Sequence, residues 1–394
     1  MGNPVPKIYI TEIAVADEVS VLIVDDSALM RNLIGKMIES TPGLVVAEKA
    51  MNGRFALDKI PRVNPDAIVL DLEMPEMNGI EFLKERKKLG IKIPVVILSS
   101  IARRGAEITM EALSLGASDF IQKPSGSESE DIHVVKDTLV GMLLGYGSSY
   151  RKTLGKKVLA PSEYAAKPEN SVQSPDLLAH MNLSSTPAAE PAKPPTQVRK
   201  PANTEIIAIG ISTGGPDALR VVFSQIDADL KVPIVVVQHM PPGFTNEFAK
   251  SLDRICPLDV KEAEDGDAIQ SGRILIAQGN KHLEVEKKSF NPVVRLSDAP
   301  LVSGHRPSAD VLFASVAMNY QNHALGVIMT GMGRDGAQHL GTIYKEGGMT
   351  LGQDEGSAVV YGMPRVAYEL GHVMEQVSLQ KMARRICDVA KTPR

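Results

Sequence analysis

Acidic, hydroxyl and lysine side chains stand at the ends of successive apolar segments in the first third of the chain. Asp25 and Asp26 end the first segment, Asp71 ends the third, Ser99 ends the fourth, and Lys123 follows the fifth. Carboxylates that meet at one sheet edge repel one another unless a hard cation neutralises them, and oxygen ligands suit Mg²⁺. One carboxylate can then attack a phosphoryl donor, while a lysine and a hydroxyl bind the transferred group. The five residues together predict a phosphorylation site.

A second set of reactive residues lies in the other half of the chain. Ser212 occupies a glycine-rich turn, Gly210–Gly214, that fits the G-x-S-x-G pattern of a nucleophile held between a strand and a helix. His239 follows the next apolar segment, and Asp335 lies in a later glycine-rich loop. At one sheet edge these three residues would be a nucleophile, a general base and an orienting acid. Their order along the chain differs from the Ser–Asp–His order of α/β-hydrolases.

Other kinds of site fit these segments less well. The G-x-S-x-G pattern alone is also typical of a serine that caps a helix after a glycine turn. A dinucleotide site needs a glycine in place of Ser212 and an acid where Gln238 and His239 stand. A zinc site needs clustered ligands, whereas His239, His305 and His323 are scattered along the sequence. We therefore predict no cofactor in this half, and we interpret three histidines as surface or packing residues: His282, His305 and His339.

Short β-branched segments alternate with helical patterns in both halves, which predicts an α/β protein. Each half is expected to form a doubly wound, mainly parallel sheet with the reactive residues at the carboxyl ends of its strands. In the second half, residues 282–287 and 291–297 predict an antiparallel hairpin added to the parallel sheet. The predicted parallel strands are 21–24, 45–47, 67–70, 95–98 and 119–121, followed by 206–209, 234–237, 273–276 and 325–329.

Residues 167–203 differ in composition from both halves. Proline, alanine and serine dominate, and aromatic residues are absent. Such a stretch cannot bury enough apolar surface to offset the entropy of ordering it, so we predict a flexible linker. Leu177, Leu178 and Met181 have helical spacing, which allows either a short docking segment or an incidental cluster. The predicted divisions are an N-terminal extension at 1–18, a first domain at 19–138, a linker at 139–202 and a second domain at 203–394.

The composition is that of an ordinary globular protein. Hydrophobic residues make up 43% and charged residues 23% of the 394 residues, which excludes wholesale disorder. Lys and Arg number 43 against 47 Asp and Glu, so no global basic field favours nucleic acid. Cys256 and Cys387 are too few for a disulfide framework, and no apolar run approaches the ~20 residues of a membrane helix. We expect a cytoplasmic protein that binds no nucleic acid and does not insert into membranes.

The first half resembles response-regulator receiver domains over about 125 residues. The segments that carry the resemblance are VLIVDDSALMR, VLDLEMPEMNGIEFL, VVILSS and GASDFIQKP. The resemblance implies that Asp71 is phosphorylated, that Ser99 and Lys123 sense the phosphoryl group, and that a histidine kinase is the phosphodonor. Phe120 takes the place of the family's switch aromatic residue, and Lys123-Pro124 is a dipeptide that favours a cis bond. The implied Mg²⁺ ligands are Asp25, Asp26, Asp71 and the backbone carbonyl of Glu73.

The second half resembles the catalytic domain of chemotaxis-type protein-glutamate methylesterases. The shared segments are IGISTGGPDAL, VVVQHMPPGFT, SGHRPSADVLFASVA, MTGMGRDGA and GQDEGSAVVYGMPRVA. The resemblance implies a triad of Ser212, His239 and Asp335, with an oxyanion donor at the backbone N–H of Met332 and with Thr213 beside the nucleophile. It also implies methyl-accepting chemoreceptors as the substrate, with glutamine deamidation as a second activity. Gln278 and His339 depart from the common pattern, at positions where proline and glycine are frequent.

The receiver–linker–esterase order predicts a serine hydrolase that phosphorylation activates. The alternative is a receiver-controlled scaffold or binding protein whose esterase-like domain is catalytically silent. The presence of Ser212, His239 and Asp335 at matching strand ends argues against that alternative. A transcription factor would need a basic helix-turn-helix module, and the second half shows repeated strand–helix units instead.

Overall fold

The computed structural model describes residues 17–99, 103–123, 132–158, 192–287 and 291–393. The chain divides into two compact units. Some features expected from the sequence lie outside the described residues, namely Pro124, the hairpin turn at 288–290, the apolar cluster at 177–181 and nearly all of the N-terminal extension. Among the described residues, no helix is long and apolar enough to cross a membrane.

The first unit is built on a parallel sheet. The elements along residues 19–153 are β1 (Val19–Val24), α1 (Ala28–Glu39), β2 (Leu44–Ala50), α2 (Gly53–Val63), β3 (Ala67–Asp71), α3 (Gly79–Lys88), β4 (Val95–Ser99), α4 (Arg103–Ser114), β5 (Asp119–Gln122) and α5 (Ile132–Thr153). The strand order is β2-β1-β3-β4-β5. Strands β3 and β4 are buried along their whole length, as expected for parallel strands covered on both faces.

Capping side chains fix where the first three helices begin. Ser27 and Asn52 each accept a backbone hydrogen bond from the first turn of the helix that follows. Asn78 and Glu81 form a capping box at the start of α3. These caps follow β1, β2 and β3 directly, so helix N-termini and strand carboxyl ends share one edge of the sheet. Asp25, Asp26 and Asp71 therefore lie at that edge.

Helix α5 differs from the predicted domain division. The predicted boundary at residue 138 lies inside this helix, and the next turns bury Leu139, Val140 and Leu143. Near the end of the helix, Arg151 Nη1 donates to the carboxylate of buried Asp66 at 2.8 Å. Residues that were assigned to the linker therefore form part of the core of the first unit.

The second unit is built on a larger parallel sheet. Its elements are β6 (Ile206–Ile211), α6 (Gly215–Phe223), β7 (Ile234–Gln238), α7 (Phe244–Asp253), β8 (Asp259–Glu262), β9 (Arg273–Ile276), β10 (His282–Lys287), β11 (Pro292–Ser297), α8 (Ala309–Tyr320), a 3₁₀ turn (Gln321–His323), β12 (Ala324–Ile328), α9 (Ala337–Lys345), β13 (Met349–Gln353), α10 (Met363–Glu369), β14 (Glu375–Val377) and α11 (Leu379–Lys391). The strand order is β14-β13-β12-β6-β7-β9-β8. Central strands β6, β7 and β12 are fully buried.

The predicted antiparallel hairpin is present, and it forms a two-stranded sheet of its own. Strands β10 and β11 pair from His282 opposite Ser297 to Lys287 opposite Pro292, and Val293 of β11 also forms an isolated antiparallel bridge with Ala268. The free edge of β10 instead meets helix α8, because the backbone N–H of Val285 donates to Ser315 Oγ at 3.0 Å. Side chains of the helix thus take the bonds that a neighbouring strand would have made.

The last part of the predicted linker is bound to the second unit. We call residues 192–202 the linker strap. Its backbone N–H groups donate to main-chain oxygen atoms at helix C-termini: Ala192 to Glu369 at 3.0 Å and Val198 to Lys345 at 2.7 Å. The carbonyl groups in the last turn of a helix have no partner within the helix, so a passing extended chain can satisfy them. The expectation of a flexible tether is therefore wrong for residues 192–202.

Candidate active site

Ser212, His239 and Asp335 form a continuous hydrogen-bonded row. Ser212 Oγ lies 3.0 Å from His239 Nδ1, and His239 Nε2 lies 2.8 Å from Asp335 Oδ2. Asp335 is buried, whereas Ser212 and His239 are partly exposed. The structure therefore brings together the three residues that the sequence analysis selected, with the serine on the accessible side.

Adjacent parallel strands place the serine and the histidine. Ser212 follows β6 and His239 follows β7, and these two strands pair in register up to Ile211 opposite Gln238. Gln238 Nε2 donates to the main-chain oxygen atoms of both Ser212 and His239 at 3.0 Å. This buried amide fixes the two strand ends relative to each other. Gln238 was considered only as a residue that argues against a dinucleotide site, so its positioning role was missed.

Asp335 is held at the N-terminus of helix α8. Its carboxylate accepts hydrogen bonds from Ser308 Oγ at 2.7 Å and from the backbone N–H of Ala309 at 2.6 Å. Burial tends to raise the pKa of Asp335, but the bonds from His239, Ser308 and Ala309 outweigh it and hold the pKa below its usual value. The carboxylate is thus kept ionised where it can accept the N–H of His239.

His305 lies directly on the catalytic imidazole. The two rings are stacked with centroids 3.9 Å apart and an interplanar angle of 11°. Burial, together with the charge of His239, lowers the pKa of His305 to about 4. His239 and His305 are far apart in the sequence, but the loop between β11 and α8 brings the two rings together. The interpretation of His305 as a packing residue holds, but its packing partner is the candidate base.

The same stack bears on metal binding. Ligand atoms of His239, His305 and Asp335 lie within 4.8 Å of one another. Nearly parallel rings direct their nitrogen lone pairs side by side, and they do not converge on one point. Both ring nitrogen atoms of His239 also have hydrogen-bond partners already. The arrangement favours proton transfer over metal ligation.

The loop after β12 passes close to the nucleophile. A Cβ atom on Gly331 would come within 2.8 Å of Ser212 Cβ, so this close approach requires glycine. Met332 follows in the same loop and is partly exposed. Thr213 is buried, and its carbonyl accepts a hydrogen bond from Thr330 Oγ1 at 2.9 Å. Residues 331–333 therefore form a wall beside Ser212.

The carboxyl edge of the first sheet gathers the predicted acidic residues. Oxygen atoms of Asp25, Asp26 and Asp71 lie within 4.8 Å of one another. Lys123 Nζ lies 2.6 Å from Asp71 Oδ2 and 3.4 Å from Asp25 Oδ2. Burial and the charge of Asp25 raise the pKa of Asp71, although Lys123 opposes this effect. The donor set consists of oxygen atoms and is partly buried, which fits Mg²⁺.

The remaining predicted residues of this pocket lie on, or just after, strands β3, β4 and β5. Ser99 ends β4 and is buried, and its main-chain oxygen atom accepts a hydrogen bond from Lys123 N at 2.8 Å. Glu73 lies two residues beyond Asp71, and its backbone N–H donates to Asp71 Oδ1 at 3.2 Å. Phe120 on β5 is buried. Ser99 and Glu73 thus lie at the carboxyl edge of the sheet, whereas Phe120 lies within β5, opposite Ile97.

Comparisons with known proteins agree with this architecture. A family model described as CheB methylesterase matches residues 207–386, and a response regulator receiver domain model matches residues 21–134. A protein-glutamate methylesterase/protein-glutamine glutaminase of Treponema denticola is 62% identical over 372 residues, which cover 94% of this chain and 98% of the relative. This chain belongs to the CheB methylesterase family. The CheB assignment confirms the predicted family and the two-domain α/β fold class.

A second relative matches along most of the chain, and a solved structure matches its second half. The protein-glutamate methylesterase/protein-glutamine glutaminase of Treponema pallidum is 52% identical over 391 residues, which cover 94% of this chain and 96% of that protein. The crystal structure of the Thermotoga maritima CheB methylesterase catalytic domain is 34% identical, covers 48% of this chain and all of that domain, and has a TM-score of 0.47.

Proposed function

We propose that this CheB-family protein is a phosphorylation-activated serine hydrolase that removes methyl groups from glutamate methyl esters on chemoreceptor cytoplasmic helices. It would also deamidate glutamine residues on the same helices. The observation that carries the proposal is the hydrogen-bonded row from Ser212 through His239 to the buried, capped Asp335. A catalytically silent scaffold would have no need to keep an ionised aspartate behind a histidine and an accessible serine.

The reaction follows from the hydrogen-bond pattern. The Nε2–H group of His239 donates a hydrogen bond to Asp335 and keeps its proton, so Nδ1 has a free lone pair and takes the Ser212 proton as Oγ attacks the ester carbonyl. The imidazolium then gives this proton to the departing methoxy oxygen, and methanol leaves an acyl-enzyme. Water, deprotonated by the same nitrogen, attacks the acyl carbon and releases the glutamate carboxylate. For glutamine the first leaving group is ammonia.

The wall beside the serine supplies the oxyanion site in this proposal. Backbone N–H groups that point at the developing negative charge are commonly worth about 3 kcal/mol each. The backbone N–H of Met332 is the proposed donor, because the preceding residue, Gly331, approaches Ser212 closely. Thr213 lies beside the nucleophile, and the bond from Thr330 Oγ1 to its carbonyl fixes its backbone.

The first unit is the proposed switch. Asp71 would accept a phosphoryl group from a chemotaxis histidine kinase, while Asp25, Asp26 and the backbone carbonyl of Glu73 would help it to hold Mg²⁺. Bound Mg²⁺ would neutralise the carboxylates and the charge on the phosphoryl oxygen atoms. The Lys123 ammonium, which already contacts Asp71, would pair with the new phosphoryl group. Ser99 would donate a hydrogen bond to it, and Phe120 would report the change through its packing.

The proposed partners and location follow from this function. The substrate would be methyl-accepting chemoreceptors, reached from the cytoplasm, and the phosphodonor would be the histidine kinase of the same pathway. The catalytic unit would need no cofactor, since the serine, histidine and aspartate supply the nucleophile and the proton transfers themselves.

The test is methanol release from methylated receptor membranes, with and without a small phosphodonor and Mg²⁺. We expect release that rises with the phosphodonor in the parent protein, and Ser212→Ala should abolish it. Asp71→Asn should retain the basal rate and lose the stimulation. Release that is equal in the parent and in Ser212→Ala would contradict the esterase assignment.

A further inference from the structure

Behind the triad, two aspartates cap neighbouring helices in a crossed arrangement. Asp335 precedes α9, yet it accepts backbone hydrogen bonds from Ala309 and Asp310 in the first turn of α8 at 2.6 and 3.3 Å. Asp310 belongs to α8, yet its Oδ1 accepts the backbone N–H of His339 in the first turn of α9 at 2.9 Å. Each helix N-terminus is thus capped by a carboxylate from the other segment.

The side chain of His339 adds a second bond to the same carboxylate. His339 Nδ1 lies 3.1 Å from Asp310 Oδ1, and the His339 side chain is 40% exposed whereas that of Asp310 is 8% exposed. The hydrogen bond to Asp310 raises the pKa of His339, and burial opposes this only in part. The raised pKa widens the pH range over which His339 is an imidazolium beside the carboxylate of Asp310.

The surroundings of His339 contain few other charges that act on it. The negative charges of Asp310 and Asp335 both raise the pKa of His339. Strands β12 and β13, which pack against α9, carry no charged side chain. Helix α8, the 3₁₀ turn and helix α10 also pack against α9, and they carry titratable groups. These groups are Asp310 and Tyr320 on α8, His323 in the 3₁₀ turn, Arg365, Tyr368 and Glu369 on α10, and His372 just after α10.

We propose that Asp310 and His339 form a positioning pair for the catalytic aspartate. The His339 imidazolium holds the Asp310 carboxylate on the N-terminus of α9, and this fixes the loop that presents Asp335 to His239. The pair also sets the electrostatic balance behind the triad, because Asp310 is a second buried carboxylate beside Asp335. The inference rests on the proposed function, since it assigns the pair a part in orienting Asp335.

Two substitutions should shift the pH profile of hydrolysis in opposite directions. His239 must be neutral to accept a proton, so kcat/KM rises with pH along an acid limb. His339→Gln keeps a hydrogen-bond donor but removes the cation, which favours the imidazolium form of His239 and moves the acid limb about 0.5 pH unit higher. Asp310→Asn keeps the shape of the side chain but removes its negative charge. This disfavours the imidazolium form of His239 and moves the acid limb about 0.5 pH unit lower.

The kinetic constants should separate positioning from substrate binding. Because the pair acts through Asp335, we expect kcat to fall about three- to tenfold in each variant while KM changes less than twofold. The double variant, which restores the charge balance, should return the acid limb toward that of the parent.

The experiment uses the full chain and labelled methanol release from methylated receptor membranes, from about pH 5.5 to about pH 8.5. His323→Gln is the matched control, since His323 also contacts a carboxylate, that of Glu205 at 3.4 Å. Ser212→Ala is the inactive control, which gives the background rate of methanol release. Thermal melts followed by circular dichroism check that each variant is folded.

The outcomes separate the two proposals. If Ser212→Ala is as active as the parent, the proposed esterase function fails. If release depends on Ser212 but the profiles of His339→Gln and Asp310→Asn superimpose on that of His323→Gln, the positioning pair is overturned. A lower melting temperature with an unchanged pH profile would make the pair purely structural and would also overturn it. Opposite shifts of the acid limb support it.

Discussion

The two nitrogen atoms of His239 have different partners, and this decides which of them is the base. Asp335 lies at Nε2 and Ser212 lies at Nδ1. In the serine-protease triad the aspartate lies at Nδ1 and the serine at Nε2. In the proposed mechanism the same proton transfer would be achieved with the ring turned over. The stack with His305 and the bond to Asp335 together leave the ring little freedom to rotate.

Replacing Asp335 with asparagine tests this assignment of nitrogen atoms. The amide oxygen, in the place of Oδ1, would still accept the bond from Ser308, whereas the NH₂ group, in the place of Oδ2, could not accept the bond from Ala309. Its NH₂ group can donate to Nε2, which would place the ring proton on Nδ1 and remove the base. We expect kcat for methanol release to fall about 10⁴-fold, as for the equivalent change in serine proteases. A loss below tenfold, with an intact circular dichroism spectrum, would refute the assignment.

His305 should make stability depend on pH. Its pKa is lowered to about 4 in the folded protein, against about 6.5 in an unfolded chain. The unfolded state therefore binds a proton first, and stability is lost as pH falls from about 6.5 to about 4. At about 1.4 kcal/mol per unit, reduced for partial exposure, the loss is about 2 kcal/mol.

The measurement is urea unfolding of the full chain at pH 7 and at about pH 4.5. His305→Phe keeps an aromatic ring on His239 but cannot titrate, so its free energy of unfolding should fall less than that of the parent. Equal losses in the parent and the variant would show that His305 does not carry the effect.

At this scale, the sequence indicates residues whose position along the chain reveals their place in the sheet. Ser212 and His239 follow buried strands, and parallel strands end at one edge. His305 and Asp310 gave no such signal, because a long loop and a helix start bring them to the site. The Ser308–Asp310 segment does read as a helix N-cap, but the sequence does not show which carboxylate the helix N-terminus faces.

Among the elements, helices α8 and α9 build most of the charged part of the site. The N-terminus of α8 holds Asp335, and the loop before α9 carries it. The C-terminal ends of the helices serve a different purpose, because the linker strap bonds to α9 and α10 there. One end of α9 thus supports chemistry and the other supports attachment of the linker.

Gly347, just after α9, should be needed for the strap to bind. It has a φ of +96°, and a Cβ atom there would lie 2.3 Å from the main-chain oxygen atom of Arg199. Gly272 has a φ of +77° with open space around it, so Gly272→Ala measures the conformational cost alone. We expect Gly347→Ala to lower the free energy of unfolding by about 1–3 kcal/mol more than Gly272→Ala. Equal losses in thermal and urea melts would show that the strap contributes nothing.

Alternation of strands and helices predicts the central elements well, and edge elements poorly. Strands β6, β7 and β12 are uniform apolar runs, and their pattern is clear. Strands β8 and β14 were missed because they lie at the two edges of the sheet and are short and partly polar. Strand β13, which is an inner and mostly buried strand, was also missed. The hairpin was recognised from its own sequence, but nothing in that sequence shows that it packs on α8.

For the whole molecule, the point at which the linker becomes part of the catalytic unit matters for any test of regulation. A fragment that begins at residue 203 lacks the strap, whereas one that begins at residue 192 retains it. Loss of the strap leaves the main-chain oxygen atoms of Lys345 and Glu369 without their partners. A change in activity after the shorter cut would therefore mix removal of the receiver with damage to the catalytic unit.

We expect the fragment 192–394 to melt several degrees above the fragment 203–394. Three hydrogen bonds, donated by the backbone N–H groups of Ala192, Val198 and Ala202, at about 1 kcal/mol each account for a difference of this size. Differential scanning calorimetry measures it, and basal methanol release from both fragments shows whether the site is intact. Equal melting temperatures would mean that the strap does not stabilise the catalytic unit.

The linker was predicted because a segment of its composition cannot bury an apolar core. Residues 192–202 are ordered by another means, since their side chains are mostly exposed and their backbone supplies the bonds. At the other end, residues 139–153 continue a helix that carries core residues, such as Leu143. The predicted linker therefore begins before the first unit ends, and it ends after the second unit has begun.

The strap also has a mechanical consequence. Tension on residues 159–191 would reach the catalytic unit through Ala192 and Val198, which are bonded at the C-terminal ends of α10 and α9. The catalytic aspartate stands at the N-terminal end of α9, and nine residues at 1.5 Å each separate these ends by about 13 Å. We expect these backbone bonds, at the opposite end of α9 from Asp335, to take the load before it reaches the triad.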